Sequence, residues 1–282
     1  VKMRLGNLAT GASALSMMFL TACGTTYTVP APGETSLSQA RAMFAQEREL
    51  GSEIRPTVGS AHALRQFERV IARVEPAAEA FCRSQTTDRP SFNCDVHIIV
   101  DHERSDRNAY QTYTNDGSVI VAFTVPLIAD ARNEDELAFV LGHEVGHHVG
   151  QHIQKSRQQA MAGALIMGAL VAYGQAQANA ANPYRYTGND SANMRNAMDL
   201  GAGLGDMAFS QTYELESDMI GTYIATSAGY DPIVGARFFA RPEEPVTPQG
   251  ARSFWGTHPS DEVRLATVIE TVGQIRATAS QP

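Results

Sequence analysis

The stretch that decides the fold is NEDELAFVLGHEVGHHVG, Asn133–Gly150. Asn133 with Glu136 three positions later has the form of a capping box, so a helix starts here. Leu137, Leu141, Val145 and Val149 then recur every four residues and give that helix one apolar stripe for a core. Its other side carries His143, Glu144, His147 and His148, and His152 follows, four histidines within ten residues. The helix therefore has one dry packing face and one wet face rich in imidazoles.

Upstream, two helical patterns lead into β-structure. One starts near Leu37 and runs to Leu50. In the other, ALRQFERVIARVEPAAEAF, the residues Leu64, Phe67, Val70, Ile71 and Val74 recur at three and four. DVHIIV reads as a buried strand. AYQTYTNDGSVIVAFTV reads as a hairpin, with Asn-Asp-Gly as its turn. Downstream, residues 160–173 are rich in Ala, Gly and Met. At that length they read as a buried or interfacial helix, not a membrane span. Residues 181–205, poor in periodicity and rich in Gly and Asn, read as a long surface loop able to act as a lid. A helix resumes near Phe209 and carries YELESD; Gly229 reads as its C-cap and Pro232 as the start of the next. RPEEPVTPQG is a loop, and HPSDEVRLATVIETV a final helix entered through Pro259. The expected fold is α+β, mostly helical, with a small sheet beside the histidine helix.

His143 and His147 are four apart, so their rings leave one face of the helix one turn apart and can converge on one metal ion. Glu144 is about 100° round from His143 and reaches the rim of the same site. His-Glu-x-x-His is the pattern of zinc peptidases, in which the glutamate is the general base. His148 and His152 form a second pair at the same spacing but lack a suitably placed glutamate. They are read as lying behind the ligands or on the helix surface. Catalytic zinc usually takes three protein groups and a water, so a third ligand is needed. In YELESD, Glu214 and Asp218 share a helical face while Glu216 points away. One of the two can bind metal and the other orient a ligand histidine through its ring N–H, and spacing alone does not choose between them.

HEVGH, then ELESD on a later helix, then HPSDEVR resembles the HtpX-like and CAAX-prenyl-endopeptidase metallopeptidases, over roughly Leu50 to the C-terminus. It resembles more closely their soluble periplasmic lipoprotein branch, to which mitochondrial Oma-type proteases are related. The resemblance implies a zincin-like fold with one zinc ion on His143, His147 and Glu214, and with Glu144 as base. Asp218 matches the aspartate that supports a ligand ring. His258 and Arg264 match a late His and Arg near the site, expected to steady an oxyanion or, for His258, to cap the zinc in a resting form. His152 falls where many members have a histidine. Some periplasmic members carry tetratricopeptide repeats after this region; here the chain ends soon after the last helix. An extended substrate is instead expected to pair with the edge of the strand-like run before the active helix.

The N-terminus is not read as fold. Lys2 and Arg4, a short apolar stretch and Leu20-Thr21-Ala22-Cys23 have the form of a lipoprotein signal: residues 1–22 removed, lipid on Cys23. Residues 23–45 are then anchor and flexible tether, and residues 46–282 the metallopeptidase domain. Several acyl chains on Cys23 would anchor stably, and Gly24 fits an outer-membrane, periplasmic-face location in a Gram-negative cell. That compartment is oxidising, so Cys82 and Cys94 are expected to form a disulfide. The formal net charge of -8 argues against a nucleic-acid partner. The reading is a zinc endopeptidase acting on unfolded or misassembled envelope proteins. The alternatives are a chaperone-like assembly factor with a structural or latent zinc site and, less well supported, an amidase acting on cell-wall peptide.

Overall fold

Most apolar repeats become elements whose buried side matches them. DVHIIV does not, since it forms an edge strand whose Ile99 is exposed, and neither does the run at 160–173, whose large apolar side chains are mostly exposed. The computed structural model describes residues 25–50, 59–181, 190–207, 210–243, 253–259 and 261–280. Helix α1 (Glu34–Leu50) begins inside the stretch read as tether, and its Ala40 and Glu47 are buried. Buried Glu47 accepts from Arg132 Nη1 at 2.7 Å and from Arg237 Nε at 2.9 Å, so this helix is bound into the fold by charge as well as by packing. Helix α2 (Ser60–Gln85) turns Phe67, Val70, Val74 and Ala78 inward. The Phe67 ring lies 4.6 Å from that of Phe123 on the sheet.

Strands β1 (Val96–Asp101), β2 (Ala109–Tyr113) and β3 (Val119–Thr124) form one sheet in the order β1-β3-β2. β3 runs parallel to β1 and antiparallel to β2. The turn of the β2–β3 hairpin falls on the expected Asn-Asp-Gly, with Gly117 at φ +87°, a conformation that suits glycine. β3, the strand nearest the histidine helix in sequence, is central and paired on both sides, so the edges are β1 and β2. Cys82, near the end of α2, and Cys94, before β1, are joined by a disulfide with a Cα–Cα distance of 5.6 Å.

Helix α3 (Val125–Asp130) is capped by the Thr124 side chain. Helix α4 (Glu134–Val149) carries the decisive stretch. Asn133 Oδ1 accepts from Glu136 N at 2.9 Å, closing one half of the capping box. The Glu136 carboxylate reaches back to Arg132 N at 2.7 Å, one residue before the cap. Leu137, Leu141, Val145 and Val149 are all buried, but so is almost every other residue of this helix. An amphipathic reading therefore understates it: α4 is enclosed on both faces.

After Gln151, which stands at φ +60°, come α5 (His152–Ala181) and α6 (Asp190–Met207). α5 is much longer than the 160–173 segment expected. α6 replaces most of the loop expected over residues 181–205. Its Gly- and Asn-rich sequence has weak helix propensity, and its helical state comes from packing along α5. A Cβ at Gly168 on α5 would lie 3.1 Å from Met198 Cγ, so the absent side chain makes room for Met198. Of the described residues, 25–26 and Gln151–Ser210 form one compact unit, and 27–150 and 211–280 a larger one. No helix among the described residues is long and apolar enough to cross a membrane.

In the larger unit, helix α7 (Ser210–Ser227) crosses α4 at glycines. A Cβ on Gly142 would meet Gly221 O at 2.9 Å, one on Gly221 would meet His143 N at 2.8 Å, and one on Gly146 would meet Ser217 Cα at 2.8 Å. The two backbones touch there. Helix α8 (Pro232–Ala236), capped by Asp231, leads into a 3-10 turn (Arg237–Ala240). The short α9 (Phe254–Thr257) and the long α10 (Glu262–Ala279) complete the unit, and α10 lies against α1. The expected signal, residues 1–22, and Cys23 lie outside the described residues.

The glycine crossing makes a prediction. Gly146→Ala forces backbone against backbone, an overpacking worth about 1–3 kcal/mol. We expect a lower urea midpoint. If it is unchanged, the close approach of α4 and α7 is not what holds the two helices together.

Candidate metal centre

The crossing of α4 and α7 brings distant residues to one point. His143 and His147 leave α4 on one face, and Glu214 comes from the first turns of α7. His258 arrives at the end of α9. One ligand atom from each of these four lies within 4.8 Å of all the others. Glu214 Oε2 is 3.4 Å from His143 Nε2, and Oε1 is 3.4 Å from His147 Nε2. The two histidine Nε2 atoms face each other at 3.0 Å.

Behind the ligands stands a charged scaffold. Asp218, one turn after Glu214, meets His143 Nδ1 at 2.8 Å. That contact places the proton on Nδ1 and leaves Nε2 free as a ligand. Arg264, in the first turn of α10, donates to Asp218 twice, from Nε and Nη2, both at 2.7 Å. Its Nη1 donates to Pro259 O at 3.0 Å and lies 2.9 Å from Glu214 Oε2, off-line for a hydrogen bond. The guanidinium carbon sits 4.1 Å over the Phe239 ring. Burial opposes charge on all of these groups. Burial raises the carboxyl pKa values, but Arg264 outweighs it and holds Asp218 below, and Glu214 well below, the usual carboxylate range. Burial likewise disfavours charge on Arg264, and the same carboxylates still push its pKa up. For His143, burial lowers the pKa, yet Asp218 and Glu214 carry it up to about 9.

The donor set suits a divalent cation. Glu214 and Asp218 lie on one guanidinium, and Glu144 is a third buried carboxylate beside His258, so the cluster holds more acid than its single arginine balances. The two Nε2 atoms at 3.0 Å can share a proton, and with both rings neutral and protonated on Nδ1 a cation can take that proton's place. Glu144 Oε1 is buried without a hydrogen-bond partner and points to within 3.4 Å of His258 Nε2. Two imidazoles and a carboxylate are ligands that zinc accepts.

Some residues stand differently from their sequence reading. Arg264 was expected to steady an oxyanion; its donors are taken up by Asp218 and Pro259, and at 1% exposure it is a positioning residue. His148 is buried: Nε2 donates to Asn93 O at 2.6 Å and Nδ1 accepts from Tyr113 Oη at 2.9 Å. It ties α4 to β2 and to the loop that the disulfide closes. Burial lowers its pKa, in keeping with a neutral ring. His152 opens α5 in the other unit. Glu216 points away from the cluster, as expected, but into protein: it accepts from Tyr27 N at 2.5 Å and so holds the N-terminal segment. Phe239 and Phe254 were not anticipated. Phe254 stacks on His258 with centroids 4.5 Å apart, and Phe239 lies 5.4 Å from the His143 ring. No spacing pattern marks an aromatic wall of this kind.

The family model of peptidase family M48 matches residues 62–272, about three quarters of the chain. The chain belongs to that family, and it is a metallopeptidase by membership. No curated protein and no solved structure matches it.

Removing one side of the buried ion cluster should be costly. Arg264→Met leaves Asp218 and Glu214 uncompensated, a loss on the order of 3–5 kcal/mol. Urea denaturation measures it; a change under about 1 kcal/mol would mean that Arg264 is not the counter-charge of this site.

Proposed function

We propose that this member of peptidase family M48 is a zinc-dependent endopeptidase. The observation that carries the reading is Glu144: a buried carboxylate whose Oε1 makes no hydrogen bond and lies 3.4 Å from His258 Nε2, beside a two-histidine, one-glutamate ligand set. A purely structural metal site has no use for such a group. His143, His147 and Glu214 would hold the zinc. When bound, the ion polarises a scissile carbonyl and an attacking water, whose pKa falls to about 7.

The chain's own residues do the rest. Glu144 takes the proton of the attacking water on its free Oε1 and later hands it to the leaving amine. Its burial keeps that carboxylate out of bulk water, where a proton acceptor is weakly held in place. Asp218 fixes the tautomer of His143, and Arg264 fixes Asp218 and Glu214 together. β2, as an edge strand beside α4, offers its free side to an extended peptide. This is a shift by one strand from the sequence reading, because β3 is fully paired.

His258 supports a second reading of the same centre. Its ring sits 5.2 Å from that of His143 and 5.4 Å from that of His147 and supplies the fourth position of the cluster. Four protein ligands close a zinc site to water. The protein is then latent, or is a chaperone-like assembly factor whose zinc is structural. The intact Glu144 favours the latent enzyme over the pure scaffold.

The cellular setting rests on the N-terminal motif and on the likeness to the HtpX- and Oma-type lipoprotein branch. We place the protein on the periplasmic face of the outer membrane, tethered through lipid on Cys23. Its substrates are unfolded or misassembled envelope proteins.

The deciding comparison uses wild type, Glu144→Gln and His258→Ala on casein, with zinc measured in each. Glu144→Gln should keep zinc near one per chain and lose cleavage by at least about 100-fold, the weight of a general base. His258→Ala should keep zinc and raise cleavage. Equal cleavage by wild type and Glu144→Gln would overturn the enzyme reading. Loss of zinc in His258→Ala would favour the structural site.

A further inference from the structure

The smaller unit presents an apolar surface that it does not cover itself. From Gln158 to Ala181, helix α5 has no charged residue. Met161, Leu165, Ile166, Leu170 and Tyr173 along it are each 56 to 66% exposed. Water-soluble helices rarely leave so many large apolar side chains on one element. Its partner α6 behaves differently: Arg195 and Asp199 are exposed on it, as on an ordinary solvated helix. Leu200 is exposed on α6 too, but beside those charges, whereas the α5 run carries none.

We propose that the exposed length of α5 lies in the surface of a lipid bilayer, as an interfacial helix and a second membrane contact besides any lipid on Cys23. Three observations favour a bilayer over a protein partner. First, Lys155 Nζ, in the first turn of α5, donates to Thr26 Oγ1 at 2.7 Å. Thr26 is three residues after Cys23, a reach of at most about 11 Å. Acyl chains on Cys23 would therefore enter the bilayer beside the start of this helix. Second, the charge order fits lipid: Lys155 and Arg157 stand at one end, where anionic headgroups attract them, and Tyr173 stands at the far end of the apolar run. Third, the run from Met161 to Tyr173 is about 20 Å long, too short to span but long enough to lie in the interface. The leucines and isoleucine sink into the acyl boundary while the α6 side of the hairpin stays wet.

The inference does not depend on peptidase activity, and its test omits the lipid so that a wrong lipidation reading cannot decide it. The chain from residue 23 onward, carrying Cys23→Ser, is floated with vesicles of phosphatidylethanolamine and phosphatidylglycerol. The same is done with Leu165→Gln/Ile166→Gln/Leu170→Gln/Tyr173→Gln. We expect the first to float with the vesicles and the bound fraction to fall at least about tenfold in the second, since interfacial binding scales with apolar area. Val234→Gln, at an exposed apolar residue of the larger unit, should float unchanged. Circular dichroism checks that each variant is folded. A second measurement needs no loss of function: Tyr173→Trp should be quenched by brominated acyl chains, whereas the buried Trp255 of the parent should not. Absence of flotation in the parent overturns the proposal, as does a Tyr173→Trp signal indifferent to bromolipid. So does a concentration-dependent dimer that the quadruple variant abolishes without any vesicle binding, since the face would then belong to a second copy.

Discussion

Everything in the site depends on how closely two helices approach. Gly142 and Gly146 on α4 and Gly221 on α7 leave no room for a Cβ at the crossing. With side chains there, the axes would part to the usual 8–10 Å or more of packed helices. Glu214 would then move away from the two imidazoles. A small displacement matters at a metal centre, where ligand distances hold to within a few tenths of an ångström. The glycines stand one turn apart on α4, interleaved with the ligands: Gly142 precedes His143, and Gly146 precedes His147. The HEVGH run thus encodes the ligands and the contact that brings the third ligand to them.

Packing alone would not hold three buried carboxylates together. Arg264 solves part of that problem by taking both oxygens of Asp218 and lying beside Glu214. Its own burial is tolerated because the pairing is bidentate and because Phe239 covers its face. A hierarchy results: Arg264 orients Asp218, Asp218 orients His143, and His143 presents Nε2 to the centre. The residual negative charge is what makes the centre selective for a cation. Buried ion clusters seldom add net stability compared with well-packed apolar residues. This one is better understood as an investment in geometry.

The aromatic residues around His258 show how the fourth position is controlled. Phe254 stacks on the ring, and the ring's Nδ1 lies 3.0 Å from Thr257 Oγ1. His258 closes α9, a single helical turn. The ring is thus fixed by its own turn and by Phe254, independently of the two rings that α4 carries.

Much of this was legible in the linear chain because it is local. The Asn133 cap, the i and i+4 histidines, the Asn-Asp-Gly turn and the Glu214/Asp218 pairing all depend on spacings that a helix or hairpin converts directly into geometry. The cysteines were legible as an expected pair from their number and the oxidising compartment that the N-terminal motif suggests, and the fold brings them together. Other features were out of reach. The loop expected at 181–205 is largely helix, because packing on α5 overrides a weak intrinsic propensity. Arg264 was expected to steady an oxyanion, and only the fold shows that Asp218 and Pro259 already occupy its donors. Glu216 proved to be a buried clamp on Tyr27, which no spacing predicts. The sequence by itself determined which side chains can bind and which can take a proton, since those are properties of residue type and helical period. Which carboxylate joins the two histidine Nε2 atoms, and which lies behind a ring, was decided by tertiary structure: that choice depends on the depth and angle at which two helices far apart in sequence cross.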